Sequence, residues 1–125
     1  MARNYFFVFL GGGLGAAARY WLSGAVYRIF PADFPYGTLA VNLIGCFVIG
    51  LLMSSLEERF IATPSLRVFL TIGILGGFTT FSSFSYDTVS LLREGELLRA
   101  MINTLTSVIG CLMTCVTGYA IGKLL

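Results

Sequence analysis

Histidine is absent from this chain, and so is any run of like charge. The first absence removes the commonest general base and the commonest metal ligand. The second leaves a net charge of +2 with no basic patch to hold nucleic acid. Charged residues make up 11% of the sequence, against roughly 25% in soluble domains, so a water-facing surface cannot be built from it. Apart from Asp87, every acid lies in a link between apolar stretches. Proton-coupled carriers and cation channels generally need a carboxylate inside the membrane. The three cysteines, Cys46, Cys111 and Cys115, all sit in apolar stretches without a nearby histidine, and read as small buried side chains rather than a metal site. Catalysis is the poorest option, for there are serines but neither a base nor a metal cluster to activate them.

What is present is hydrophobic: 57% of 125 residues. A spanning helix needs about 20 apolar residues, and four stretches at about 5–30, 37–56, 65–92 and 100–124 consume nearly the whole chain. The expected class is an all-α membrane protein, one four-helix transmembrane domain over 1–125 with no soluble domain. The first stretch has the charged start and the Ala16-Ala-Ala18 run of a signal peptide, but its apolar character continues past Arg19, so it is expected to be retained as a helix.

The first stretch carries Gly11-Gly-Gly-Leu-Gly15-Ala-Ala-Ala18, a small face on which a neighbouring helix can approach closely. Arg19 follows within or near the hydrocarbon, where it either serves function or snorkels to a headgroup or caps a neighbouring helix end. In the second stretch Thr38, Asn42 and Gly45 share a face at i, i+4, i+7. Asn42 is the only amide there, either a donor to a ligand or glue between helices. In the fourth, Asn103, Ser107, Cys111 and Thr114 line one face.

The third stretch organises the rest. Gly73-Ile-Leu-Gly-Gly-Phe-Thr-Thr-Phe-Ser-Ser-Phe-Ser85 lies in its middle, and much of it is poor helix material. A break near 76–80 is expected. Irregular backbone at membrane depth is tolerated only where it is buried in protein or lines a cavity. Phe78, Phe81 and Phe84 recur every three residues with Thr79, Thr80, Ser82, Ser83 and Ser85 between them. The bland alternative is aromatic packing with back-bonded hydroxyls. Hydroxyls, amides and the electropositive edges of aromatic rings can together replace the water around a small anion. On residues alone the reading is a small-anion pathway.

Charge barely chooses an orientation. With four spans, Arg3, Arg59, Arg67 and Lys123 fall on one side, and Arg28, Arg93 and Arg99 on the other. A chain that inserts both ways can pair with its own inverted copy, so an antiparallel dual-topology homodimer is expected.

Three strings, Gly12-Gly-Leu-Gly-Ala-Ala-Ala-Arg19-Tyr, Gly37-Thr-Leu-Ala-Val-Asn42-Leu-Ile-Gly45 and Gly76-Gly-Phe-Thr-Thr-Phe-Ser-Ser-Phe-Ser85, make the chain resemble the bacterial CrcB-type fluoride channels, the Fluc family. The resemblance spans essentially the full length. It implies a multi-pass protein of the bacterial cytoplasmic (inner) membrane, an antiparallel dimer with two pores that passes fluoride passively and rejects chloride. Phe81, Phe84 and Asn42 then match pore residues. Ser107 and Thr114 are the candidates for a polar track on the fourth helix, with Asn103 beside them and Cys111 where relatives carry a hydroxyl. Phe78, Ser83 and Thr38 complete the set of pore candidates. Gly76 and Thr79 match positions whose backbone carbonyls, from both subunits, hold a structural Na+ at the dimer centre. Arg19 matches a family arginine assigned to the wide entrance or to structure, and the role of Asp87 is left open. The alternative from another class is a small drug- or cation-exporter-like carrier, which shares the size and weak charge bias. Such carriers need a membrane-embedded glutamate in the first helix, where this chain has only Arg19. A third reading, a packing subunit without transport, predicts a partner protein.

Overall fold

The computed structural model describes residues 1–59 and 63–125, so residues 60–62 of the second expected link lie outside the described residues. Helix α1 spans Ala2–Ile29 and α2 spans Tyr36–Arg59. The third stretch is built from pieces: α3 (Pro64–Val68), a π-helical coil (Phe69–Leu75), α4 (Gly76–Phe78) and α5 (Phe81–Arg93). Helix α6 (Leu97–Leu124) closes the chain.

Local chemistry sets the ends. Phe30 adopts φ −108° and ψ 149°, the extended backbone that a following proline imposes, and α1 stops there. Thr63 caps α3 by accepting from Leu66 N at 3.2 Å, with Pro64 in the first turn where its missing N–H costs nothing. After α5 the chain reverses through Gly95 at φ 79°, where glycine avoids a Cβ clash. Gly95 N bonds Leu92 O at 3.1 Å and Glu96 N bonds Leu91 O at 2.8 Å, a Schellman cap that lets α6 start at Leu97. The π-helical coil is not anticipated by the sequence reading. Gly76 N reaches Thr71 O, five residues back, in the widened turn.

Among the described residues three helical stretches are long and apolar enough to cross a membrane: Tyr36–Glu57, Pro64–Arg93 and Leu97–Leu124. Helix α1 has the length, but five glycines and three arginines dilute its hydropathy.

Contacts rise in step along two pairs of spans. Asn4 meets Ser65 at 3.1 Å, the Phe7 ring meets Phe69 at 6.2 Å, and Gly11 lies against Gly73. Helix α1 therefore runs parallel to the third stretch. Leu43 meets Gly110, Gly50 meets Cys115, and Ser54 meets Gly122, so α2 runs parallel to α6. This is the arrangement that successive membrane crossings require. Both seams are made by glycine: a Cβ at Gly15 would overlap Ile74 O, and one at Gly118 would overlap Phe47 O. The fully enclosed core is small, with Val41, Leu56, Leu75, Leu91 and Ala100 its buried apolar residues. Phe9, Trp21, Leu112 and Val116 face outward, a surface suited to hydrocarbon and not to water.

Candidate functional site

Between α4 and α5 the backbone leaves the helix for two residues. Thr79 adopts φ −83°, ψ 155° and Thr80 φ −150°, ψ 110°. The two glycines ahead of this step are themselves helical, and Gly77 is small because it abuts the carbonyl of Gly12. Asn42 on α2 holds the step open. Its Oδ1 accepts from Thr80 N at 2.8 Å and its Nδ2 donates to Thr80 O at 3.0 Å, so one side-chain amide satisfies both backbone groups of a residue that has left its helix. Thr80 then starts the next helix, its Oγ1 accepting from Ser83 N at 3.1 Å as an N-cap.

These two diversions have a shared consequence. In a continuous helix Thr80 N would bond Gly76 O, and Ser83 N would bond Thr79 O. Both donors are taken elsewhere, which releases the carbonyls of Gly76 and Thr79. Gly77 O is held from the other side, by Arg19 Nε at 3.1 Å. A cation at the C-terminal end of a short helix is favourable, so the Arg19 geometry is that of a cap on α4.

The face of α2 that carries Asn42 meets the third stretch throughout. Gly45 sits under Thr79 and Phe78. One turn the other way, Thr38 Oγ1 donates to Asp87 Oδ2 at 2.8 Å. On α6, buried Asn103 donates to Thr88 Oγ1 at 3.0 Å, and Thr88 Oγ1 in turn donates to Phe84 O at 2.8 Å.

A cavity of about 320 Å³ opens beside the step. The structure brings Asn42, Thr79, Phe81, Phe84 and Ser107 together in its wall, joined by Thr80, Cys46, Val108, Cys111 and Leu112. The rings of Phe81 and Phe84 lie 5.3 Å apart at 45°. Phe78, Ser83, Thr38, Thr114, Gly76 and Arg19 do not line it. Thr114 Oγ1 is committed to Cys111 O at 3.1 Å. Besides the apolar Val108 and Leu112, Thr80 and Cys46 are the lining residues that sequence reasoning did not assign to a site. Thr80 was findable, as a threonine opening Thr80-Phe-Ser-Ser in the manner of a helix cap. Cys46 was findable as the next turn of the Asn42 face.

Chemically the wall offers amide, hydroxyl, thiol and aromatic groups, and among its lining residues there is no carboxylate, histidine, lysine or arginine. Such a wall can exchange contacts with a dehydrated ion. Comparison with known proteins gives the same direction. The family model described as "CrcB-like protein, Camphor Resistance (CrcB)" matches residues 6–119. A protein of Geotalea daltonii named "Fluoride-specific ion channel FluC" is 53% identical over 118 residues, 93% of this chain and 95% of that protein. Proteins of the same name from Citrifermentans bemidjiense and Magnetococcus marinus are 50% and 43% identical, over 95% and 94% of this chain and 96% of each of theirs.

Proposed function

This chain belongs to the CrcB-like family, and from that premise we propose that it is a multi-pass membrane channel passing fluoride passively out of the cytoplasm. The observation that carries the reading is the cavity at the Thr79–Thr80 step, where uncharged donors and ring edges converge. Fluoride is small and strongly hydrated, and entering an apolar passage costs it many kcal/mol unless fixed dipoles replace its water. Asn42 has one N–H beyond the one given to Thr80 O, and Ser107 supplies a hydroxyl. Phe81 and Phe84 supply ring edges. Phe78, Ser83, Thr38 and Thr114 are assigned to the path outside the cavity. Without a carboxylate among the lining groups, there is nothing to couple ion movement to protons, which favours a channel over an exporter-like carrier.

The reading extends to an antiparallel dual-topology homodimer of four-span subunits in the bacterial inner membrane, α1 being the fourth span. Phe81 is 76% exposed in a single protomer and Gly76 is exposed beside it, so a second copy is a natural cover for this polar-aromatic face. The released carbonyls of Gly76 and Thr79 suit a hard monovalent cation, and four such oxygens from two subunits would hold Na+. When bound, Na+ supplies positive charge that ties the two steps together; Asn42 and Thr80 do the work of presenting the oxygens.

Purified protein in liposomes loaded with fluoride releases it when a potassium ionophore is added; efflux equal to empty liposomes would sink the reading. Phe81→Ile or Phe84→Ile lowers that efflux about tenfold, the equivalent of about 1.4 kcal/mol at the barrier and near the top of the range for a ring-quadrupole contact. Unchanged efflux would return both rings to packing.

A further inference from the structure

We infer that Cys46 and Cys111 form a two-thiol site for a soft divalent cation of the mercury(II) type, seated in the wall of the cavity, whose occupation stops ion passage. The blocking half of this statement rests on the channel reading above, and the binding half does not.

Register places the two thiols together. Leu43 on α2 meets Gly110 on α6, and Gly50 meets Cys115, so Cys46, between Leu43 and Gly50, is level with Cys111. The two side chains interact with each other, both are free thiols, and both line the cavity. Cys115, one turn beyond Cys111, does not line it.

The donor set decides the ligand. Among the described residues no three His, Cys, Asp or Glu side chains gather, so zinc, which takes four ligands, is not served. Calcium and magnesium need shells of oxygen. Thiolates select soft metals, and a d10 cation content with two ligands in a line matches a facing pair. Charge makes the choice narrower. In an apolar wall a charged complex is costly, and two thiolates cancel a divalent cation where they would leave a monovalent one anionic. The step balances without redox: each thiol gives its proton to water, two sulfur–metal bonds form as the metal releases the two chloride or water ligands it arrived with, and the product is neutral. Asn42 and Ser107, the polar groups of the same wall, lie one helical turn from Cys46 and Cys111 respectively, so the bound metal occupies the space an ion would need.

The test uses mercuric chloride on the full-length chain with Cys115→Ser, which leaves basal fluoride efflux unchanged. The expected result is one mercury per protomer by mass, with two protons lost and both remaining thiols silent to maleimide. Adding Cys46→Ser or Cys111→Ser weakens retention roughly a hundredfold, because the second sulfur no longer acts intramolecularly. Should serine at either position prevent folding, Cys46→Ala and Cys111→Ala carry the same comparison. Thiols that still react with maleimide, or equal retention by the double variants, overturn the site. In liposomes mercury brings efflux of the Cys115→Ser chain to the empty-liposome level and dithiothreitol restores it, while each double variant keeps in mercury whatever efflux it shows without it. Mercury bound with efflux unchanged overturns the block. Absence of efflux before any mercury is added is failure of the channel reading, and mass and thiol counts then still decide the site.

Discussion

Asn42 carries two duties that pull on the same atoms. Its carbonyl oxygen and one N–H are spent on Thr80, and only the remaining N–H faces the cavity. Replacing Asn42 by Leu strands a peptide N–H and C=O in a half-buried place, at a cost of about 1–3 kcal/mol for each group left unpaired. Asn42→Asp keeps the acceptor for Thr80 N but sets a carboxylate oxygen against Thr80 O. Both variants are expected to unfold at lower denaturant than the parent in detergent, Leu more than Asp, and to lose efflux. Parent-like stability of Asn42→Leu would show that the step does not depend on this amide. Arg19 offers a parallel lesson: its charge at membrane depth is answered by one carbonyl, Gly77 O at 3.1 Å, at the end of a three-residue helix. No local pattern around Arg19 names that partner, which is 58 positions away.

At the scale of elements, the third stretch and the glycine seams show what spacing reveals and what it hides. The strings around Gly76 and Thr80 signal irregular backbone because glycine and hydroxyl residues are poor helix formers. They do not say which residues leave the helix. Gly76 and Gly77 remain helical and the extended residues are threonines, since the step falls where Asn42 can reach. The π-helical coil Phe69–Leu75 was invisible for a similar reason, as it packs against α1 and has no composition of its own. The glycine run in α1 divides into distinct roles. A Cβ at Gly13 meets nothing within 4 Å, while one at Gly15 overlaps Ile74 O and one at Gly118 overlaps Phe47 O. Gly13→Ala is therefore tolerated, and even favoured by up to about 1 kcal/mol of helix propensity. Gly15→Ala and Gly118→Ala must push two helix backbones apart, at about 1–3 kcal/mol or more. Thermal aggregation in detergent, compared across the three variants, reads the order; equal melting would mean the seams are looser than these contacts.

At the scale of the whole molecule the proposal turns on the second copy. The outward face of the step leaves Phe81 and Gly76 uncovered, and the proposed inverted copy would cover it. Dual topology has a direct readout. With Cys46, Cys111 and Cys115 changed to Ser and a single Cys placed at exposed Glu94, a membrane-impermeant maleimide added to whole cells labels about half of the chains, because the arginine and lysine balance barely prefers either orientation. Labelling of all chains, or of none, would fix one topology and remove the inverted dimer.

Hydropathy, the near absence of intramembrane acid, and the glycine, hydroxyl and phenylalanine strings determined by themselves that this is a helical membrane protein whose chemistry is suited to a small anion. Those properties are additive along a chain, so they can be read without coordinates. Tertiary structure alone decided that Asn42 and Thr80 free the carbonyls of Gly76 and Thr79, that Arg19 caps α4, and that Cys46 faces Cys111. Each depends on the register of one helix against another, which contacts through space set and no periodicity within a single segment encodes.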